Sequence, residues 1–185
     1  MLSYNSGMRG EGVFMAKVAI LVGSKSDLPV VQKGMDILKE FGVSYDLTIT
    51  SAHRALKNTV KVVENYQDKG AEVFIVCAGA SAHLAGVTAA LTATPVIAVP
   101  VGSSIFEGLD SLLSIIQMPK GIPVATVGVN SCDNAAILAM QVLALKDKNL
   151  HNKLKAYKQK LVDRVIDDNK SVKLSKKYRR LKIEN

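Results

Sequence analysis

Short runs of consecutive apolar residues, each followed by a segment with helical spacing, constrain the fold of this chain most. Lys17–Val22 (KVAILV) and Glu72–Ala78 (EVFIVCA) are apolar almost throughout, and Val96–Val99 sits between Pro95 and Pro100. A strand with no polar face must be covered on both sides. Between these runs lies Leu28–Phe41, with Val31, Met35 and Leu38 at helical spacing and Gly42 as a stop. Ser44–Thr50 alternates Tyr45, Leu47 and Ile49, which predicts a second strand. Leu56–Lys69 carries Val60, Val63 and Gln67 on one face, with Val62 and Tyr66 beside it, and stops at Gly70. The pattern continues with helices over Ala82–Ala93, Leu109–Gln117 and Asn134–Leu145, and a fifth strand over Val124–Val129. Strands alternating with helices imply right-handed crossovers and a parallel sheet. The expectation is an α/β protein, a three-layer α/β/α sandwich.

One more helix follows the sheet. Leu150, Leu154, Tyr157, Leu161 and Val165 form an apolar stripe, with Lys153, Lys155, Lys158 and Lys160 on other faces. That stripe must dock on the body or on another subunit. The 185 residues therefore divide into a leader over 1–16, one α/β domain over 17–168 that includes the long C-terminal helix, and a basic tail over 169–185. The leader reads as a tag, a misassigned start or a loose arm.

The net charge of +8 is local. Residues 146–185 hold 14 Lys/Arg against 5 Asp/Glu, while residues 1–145 hold 10 against 11. The basic character belongs to the C-terminal end, so a nucleic-acid partner is not expected for the body, although the tail could touch an acidic surface. Trp is absent and aromatics are 5%, which offers no stacking platform for single strands. Apolar runs such as Val73–Ala80 are far shorter than the ~20 residues a membrane span needs, so no membrane partner is expected. Met1–Met15 lacks the apolar core of a secretory signal. Cys77 and Cys132 are distant in sequence and form no C-x-x-C. Cys77, inside an apolar run, reads as a small buried hydrophobe. No disulfide framework or zinc site follows, and a reducing cytoplasm is the natural compartment.

In a parallel sheet, ligands bind beyond the carboxyl ends of the strands. The five loops there read GSKSD (Gly23–Asp27), SAHR (Ser51–Arg54), AGASAHLAG (Ala78–Gly86), PVGSS (Pro100–Ser104) and Val129–Asp133. In the first, Gly23 allows a tight turn, and Ser24, Ser26 and Asp27 precede a helix whose free N–H groups attract an anion. It is neither a Walker A loop nor G-x-G-x-x-G, and Ser26 or Asp27 could equally cap the helix. Ser51 and Arg54 strengthen the anion reading, because a guanidinium pairs with phosphate in a bidentate way. His53, between them, is either a general acid/base or an ordinary loop histidine. His83 either faces a ligand from a Gly/Ala-rich segment or caps a helix start. Ser103 and Ser104 read equally as caps, Asp110 as a first-turn helix acid, and Gln117–Pro119 as a helix end. No carboxylate pair, Ser–His–Asp order or metal-ligand spacing is visible, which argues against glycosidase, serine-hydrolase and zincin chemistry.

The combined motifs GSKSD, SAHR, AHLAG, PVGSS, GLDSLLSIIQMPKGIPVATV and NAAILAMQVL resemble the N5-carboxyaminoimidazole ribonucleotide mutase family of purine biosynthesis, from about Lys17 to Val165. The resemblance implies a flavodoxin-like fold, no metal or organic cofactor, and a homo-oligomer, an octamer, with sites shared between subunits. It also implies an isomerase acting on a small ribonucleotide. Carried over by motif, His53 would be the acid/base. Ser24, Ser26 and Asp27 would bind the ribonucleotide, and Ser51 and Arg54 its phosphate. Gly79, Ala80, His83 and Leu84 would line the pocket for the carboxyl group.

The chain departs from the family pattern in two places. Where the family commonly has G-A-G-G-A-A-H-L-P-G, this chain has CAGASAHLAG, with Ala80, Ser81 and Ala85 at variant positions. SAHR is followed by Ala55-Leu56 where Thr-Pro is common. A sister class that carboxylates aminoimidazole ribonucleotide directly resembles S-A-H-K and S-N-A-L-S-G at these loops, and Arg54 and His83 set this chain apart from it. Direct carboxylation and a non-catalytic mononucleotide-binding module are the competing readings.

Overall fold

The computed structural model describes residues 16–102 and 105–171. The leader over 1–15, Ser103, Ser104 and the tail beyond 171 lie outside the described residues. The chain separates into two compact units, one ending at Leu143 and one beginning at Ala144.

The first unit follows the alternation read from the sequence: β1 (Val18–Val22), α1 (Leu28–Phe41), β2 (Tyr45–Ile49), α2 (Leu56–Asp68), β3 (Val73–Gly79), α3 (Leu84–Leu91), β4 (Val96–Val101), α4 (Leu109–Ile116), β5 (Ala125–Thr126) and α5 (Cys132–Leu143). All ladders are parallel, in the order β2-β1-β3-β4-β5. Every residue of β1 and β4, and six of the seven in β3, are buried, as their unbroken apolar runs require. β2 is an edge strand with no buried residue, which suits its alternating pattern. Ala19, Leu21, Phe74, Val76 and Ala98 join Val63, Tyr66, Leu84 and Ile115 in a core on one side of the sheet. On α1, Val31, Leu38 and Phe41 are buried, and α1 ends where Gly42 takes φ 73°.

Several boundaries differ from the sequence reading. The strand expected over Val96–Val99 runs on through Pro100 to Val101, which pair with Ala78 and Gly79 of β3. The strand expected over Val124–Val129 pairs only at Ala125–Thr126. It lies at an edge, Pro123 supplies no N–H, and Gly128 ends the extended run. Past it, the Val127 N–H donates to the Ala98 carbonyl (3.1 Å), and Asn130, at φ 57°, donates its N–H to the Pro100 carbonyl (2.8 Å) and accepts from the Gly102 N–H at Oδ1 (2.9 Å), so isolated bonds replace the regular ladder. The helix expected from Ala82 starts at Leu84, because Ala80 and Ala82 take positive φ (52° and 34°) and hold the chain in a turn. The helix expected over Asn134–Leu145 begins two residues earlier and ends at Leu143.

The second unit is dominated by α6 (Lys148–Ser171). Asp147 Oδ1 accepts from the Leu150 N–H (2.9 Å), as an N-cap carboxylate does. At the far end of the predicted stripe, Leu161 and Val165 are 42% and 67% exposed, so that part of the apolar face is open.

Candidate active site

β1 is flanked by β2 on one side and β3 on the other, so the loops leaving β1 and β3 diverge and open a crevice at the switch point of the strand order. The ladder runs to its rim. Val22 pairs with Ile49 and Cys77, the Gly23 N–H donates to the Cys77 carbonyl (3.0 Å), and the Thr50 N–H donates to the Val22 carbonyl (2.9 Å). The loops after β1, β2 and β3 are thereby anchored by a rigid sheet edge.

A cavity of about 360 Å³ opens there, within the size range of small-ligand sites. Its walls include Ser24, Ser26, Asp27, Ser51, His53, Arg54, Gly79, Ala80, His83 and Leu84, so all ten residues singled out in the sequence converge on one space. Gly23, Ala52, Ala78 and Ala82 complete the lining. Gly23 was read as a turn residue; the three alanines were missed because small apolar side chains carry no chemical signal. Their service is to let backbone approach closely. A larger groove of about 710 Å³, bounded by Ala89–Val96 and Gly121–Pro123, contains no titratable side chain. Of these two, only the smaller is lined by titratable side chains.

The first wall is a hydroxyl–carboxylate cluster. Ser24 caps a short 3-10 turn (Lys25–Asp27), its Oγ accepting from the Ser26 N–H at 3.3 Å. Ser26 Oγ lies 2.9 Å from Ser24 Oγ and 3.0 Å from Asp27 Oδ1. Ser24 is thus the capping side chain, and Asp27, though at the N-cap position of α1, makes no side-chain cap bond. Asp27 is buried in this wall.

The second wall is the SAHR loop. Ser51 Oγ accepts from the Arg54 N–H (3.3 Å) and faces its Nε at 3.5 Å, while Arg54 Nη2 lies 3.5 Å from the Gly23 carbonyl. These long, weak contacts hold the exposed guanidinium over the first loop without saturating its five donors. A cation with spare donors beside two serine hydroxyls is suited to a phosphate.

The third wall brings His83 to His53. His53 Nε2 and His83 Nδ1 are 2.6 Å apart, with ring centroids 4.7 Å apart and planes at 71°. His83 occupies the N-cap position of α3 but makes no cap bond; its ring is directed to His53. One proton can lie between the two nitrogens, so the facing positions are one donor and one acceptor. No sequence signal couples residues 30 apart; the adjacency of β1, β2 and β3 does.

Behind the crevice, Cys77 and Cys132 bring their buried Sγ atoms within 4.0 Å, although they are 55 residues apart in the chain. Contact with Cys132, then burial, then the neighbouring Asp27 carboxylate push the Cys77 thiol well up. It stays protonated and acts as packing, as its apolar surroundings indicated. Among the described residues no group of three or more His, Cys, Asp or Glu could hold a metal ion, and no helix is long and apolar enough to cross a membrane.

A crevice at a sheet switch point, with Ser51 and Arg54 on one side and the His53–His83 pair on the other, marks an α/β protein of the kind that binds ligands at the carboxyl edge of a parallel sheet. The AIR carboxylase family model matches residues 17–164, and the chain belongs to that family. It is 49% identical over 156 residues to an N5-carboxyaminoimidazole ribonucleotide mutase of Methanocaldococcus jannaschii, covering 84% of this chain and 97% of that one. It is 46% identical over 153 residues to a protein of the same description from Thermotoga maritima, covering 83% and 90%. The crystal structure of Treponema denticola PurE superposes with a TM-score of 0.75 at 32% identity, covering 85% of this chain and 98% of that one.

Proposed function

We propose that the chain is an N5-carboxyaminoimidazole ribonucleotide mutase, an isomerase of purine biosynthesis that makes 4-carboxyaminoimidazole ribonucleotide. The observation that carries the reading is the His53–His83 contact beside the Ser51–Arg54 cradle, in a chain of this family.

The substrate's phosphate sits against Arg54 and Ser51, and its ribose against Ser24, Ser26 and Asp27. That places the heterocycle under His53. His53 delivers a proton to the carbamate nitrogen. The N–C bond breaks, carbon dioxide leaves, and an electron-rich aminoimidazole remains. C4 of that ring attacks the trapped carbon dioxide to form a C–C bond, and the C4 proton returns to His53. One proton goes out and one comes back, so the reaction is a net isomerisation. Holding gas and ring in one cavity replaces a bimolecular encounter, and a single imidazole serves both proton steps because its ordinary pKa lies near working pH. Gly79, Ala80 and Leu84 provide the small, largely apolar wall for carbon dioxide. His83 holds the Nε2 edge of the His53 ring through its Nδ1.

The family resemblance extends the proposal to a homo-octamer in which residues 17–168 act as one catalytic unit. Supporting it, α4 exposes Leu109, Leu113 and Ile116 by 46–55% along one face, an apolar patch of the kind that marks subunit contacts. Cytoplasmic location is part of the same reading, supported by Cys77 and Cys132 being free thiols.

The test is turnover with two substrates, the N5-carbamate and free aminoimidazole ribonucleotide with bicarbonate. Conversion of the carbamate is expected. Turnover of the free base alone would assign the chain to direct carboxylation.

A further inference from the structure

β2 ends at Ile49 and α2 begins at Leu56. His53 and Arg54 lie on the turn between them, and both are exposed, so core packing does not fix them. The helix end is not fixed by a cap either, because Ala55 stands at the N-cap of α2 and its side chain makes no cap bond. The restraint lies one layer beneath, in two buried threonines.

Thr50 is 4% exposed and Thr59 is fully buried. Their hydroxyl oxygens are 2.8 Å apart. Asn58 Nδ2 donates to Thr50 Oγ1 at 3.4 Å, and Thr59 Oγ1 donates to the Ala55 carbonyl at 3.3 Å. Either hydroxyl can donate across the 2.8 Å contact, and the Ala55 carbonyl also accepts the Thr59 N–H at 2.9 Å. Asn58, Thr50, Thr59 and the Ala55 carbonyl thus form one connected set of contacts. Buried hydrogen bonds joined in this way polarise one another. Thr50 is tied in turn to β1 through its N–H on the Val22 carbonyl, and the Ala55 N–H returns to the Ser51 carbonyl at 3.0 Å. The turn bearing His53 is closed at both ends by this buried relay.

We propose that Thr50 and Thr59 are positioning residues for the proposed acid/base, holding the His53–Arg54 turn at the distance at which His53 meets His83. The inference rests on the mutase reading for its kinetic readout, but its geometric readout does not. Thr59→Val keeps the side-chain shape and removes the hydroxyl, so Thr50 loses its buried partner while the Ala55 carbonyl keeps the Thr59 N–H at 2.9 Å. Thr59→Ser keeps the hydroxyl and removes a methyl group. A packing role ranks Val above Ser, and a positioning role ranks Ser above Val.

The experiment measures kcat, KM and histidine ¹⁵N NMR spectra of the full-length chain and both variants, well below their melting temperatures. For Thr59→Val we expect kcat to fall about tenfold with KM changing less than threefold, and the His53 and His83 imidazole resonances to move. For Thr59→Ser we expect kcat within twofold of the parent and unmoved resonances. Unmoved imidazole resonances in folded Thr59→Val would overturn the inference, as would a kcat within twofold of the parent. If the parent itself does not turn over the carbamate, the mutase reading fails while the NMR comparison still decides the role of the threonines. Should Thr59→Val not fold, Asn58→Leu, at the exposed head of the same relay, is read in its place against the same two criteria.

Discussion

His53 Nε2 and His83 Nδ1 stand 2.6 Å apart, short enough for one imidazole to fix the tautomer of the other. With the facing nitrogens paired, the outer ones, His53 Nδ1 and His83 Nε2, stand at the two ends of a path a proton could follow. Replacing His83 by Ala should lower kcat by roughly 10–100-fold, a part of the usual general acid/base contribution. Asn at position 83 can offer an amide to His53 and should restore part of the loss. Steady-state kinetics of the two variants check this, and equal rates for Ala and Asn would place the role of His83 outside the His53 contact.

Ala80 takes φ 52°, where a Cβ is strained by about 1–2 kcal/mol. Glycine removes the strain but adds unfolded-state freedom worth about 0.4–1 kcal/mol. Ala80→Gly should therefore stabilise the fold by about 0 to 1.6 kcal/mol, and the β-branched Ala80→Val should destabilise it. Urea midpoints read both signs.

Gly34 is where α1 meets α5. A Cβ there would lie 2.5 Å from Cys132 Sγ and 2.7 Å from the Cys132 carbonyl oxygen. Ala is the better helix former by about 1 kcal/mol, yet the overlap with backbone is the larger effect. Gly34→Ala should cost about 1–3 kcal/mol net, in the range of overpacked cores. Adding Cys132→Ala should not rescue it, because the carbonyl clash remains. Chemical denaturation of the single and double variants decides.

Burial, with an added push from Asp46, raises the Tyr66 phenol from 10.0 to about 12, against the opposing hydrogen bond from Thr48 (2.7 Å). The unfolded chain releases this proton first. Its stabilising contribution is complete below pH ~10 and is lost as pH rises toward 12. Melting temperatures between pH 9 and 12 should fall less steeply for Tyr66→Phe than for the parent, and parallel curves would remove Tyr66 from the alkaline limb.

The layers of the fold were legible because burial on both faces of β1, β3 and β4 leaves an unbroken apolar record, and Gly42 punctuates α1 where the chain turns left-handed. β5 was overread because Val124, Val127 and Val129 look like a strand whether or not a partner pairs with them. The start of α3 was misplaced because Ala82 is a good helix former, and only the turn geometry forbids it. In the site, charged and hydroxylic loop residues announced themselves. Thr50 and Thr59 did not, since a threonine at a strand end or on a helix reads as surface until its burial is seen. The nearness of Cys77 and Cys132 was likewise invisible, because it depends on α5 packing behind β3.

The central claim is that the ring of His53 carries the proton, and turnover of the N5-carbamate by His53→Asn tests it most directly, with product affinity measured by calorimetry on the same sample. The account predicts a loss of about 10²–10⁴ in kcat with nucleotide binding within a few-fold of the parent, because Arg54 and Ser51 are untouched. A kcat for His53→Asn within threefold of the parent would contradict it.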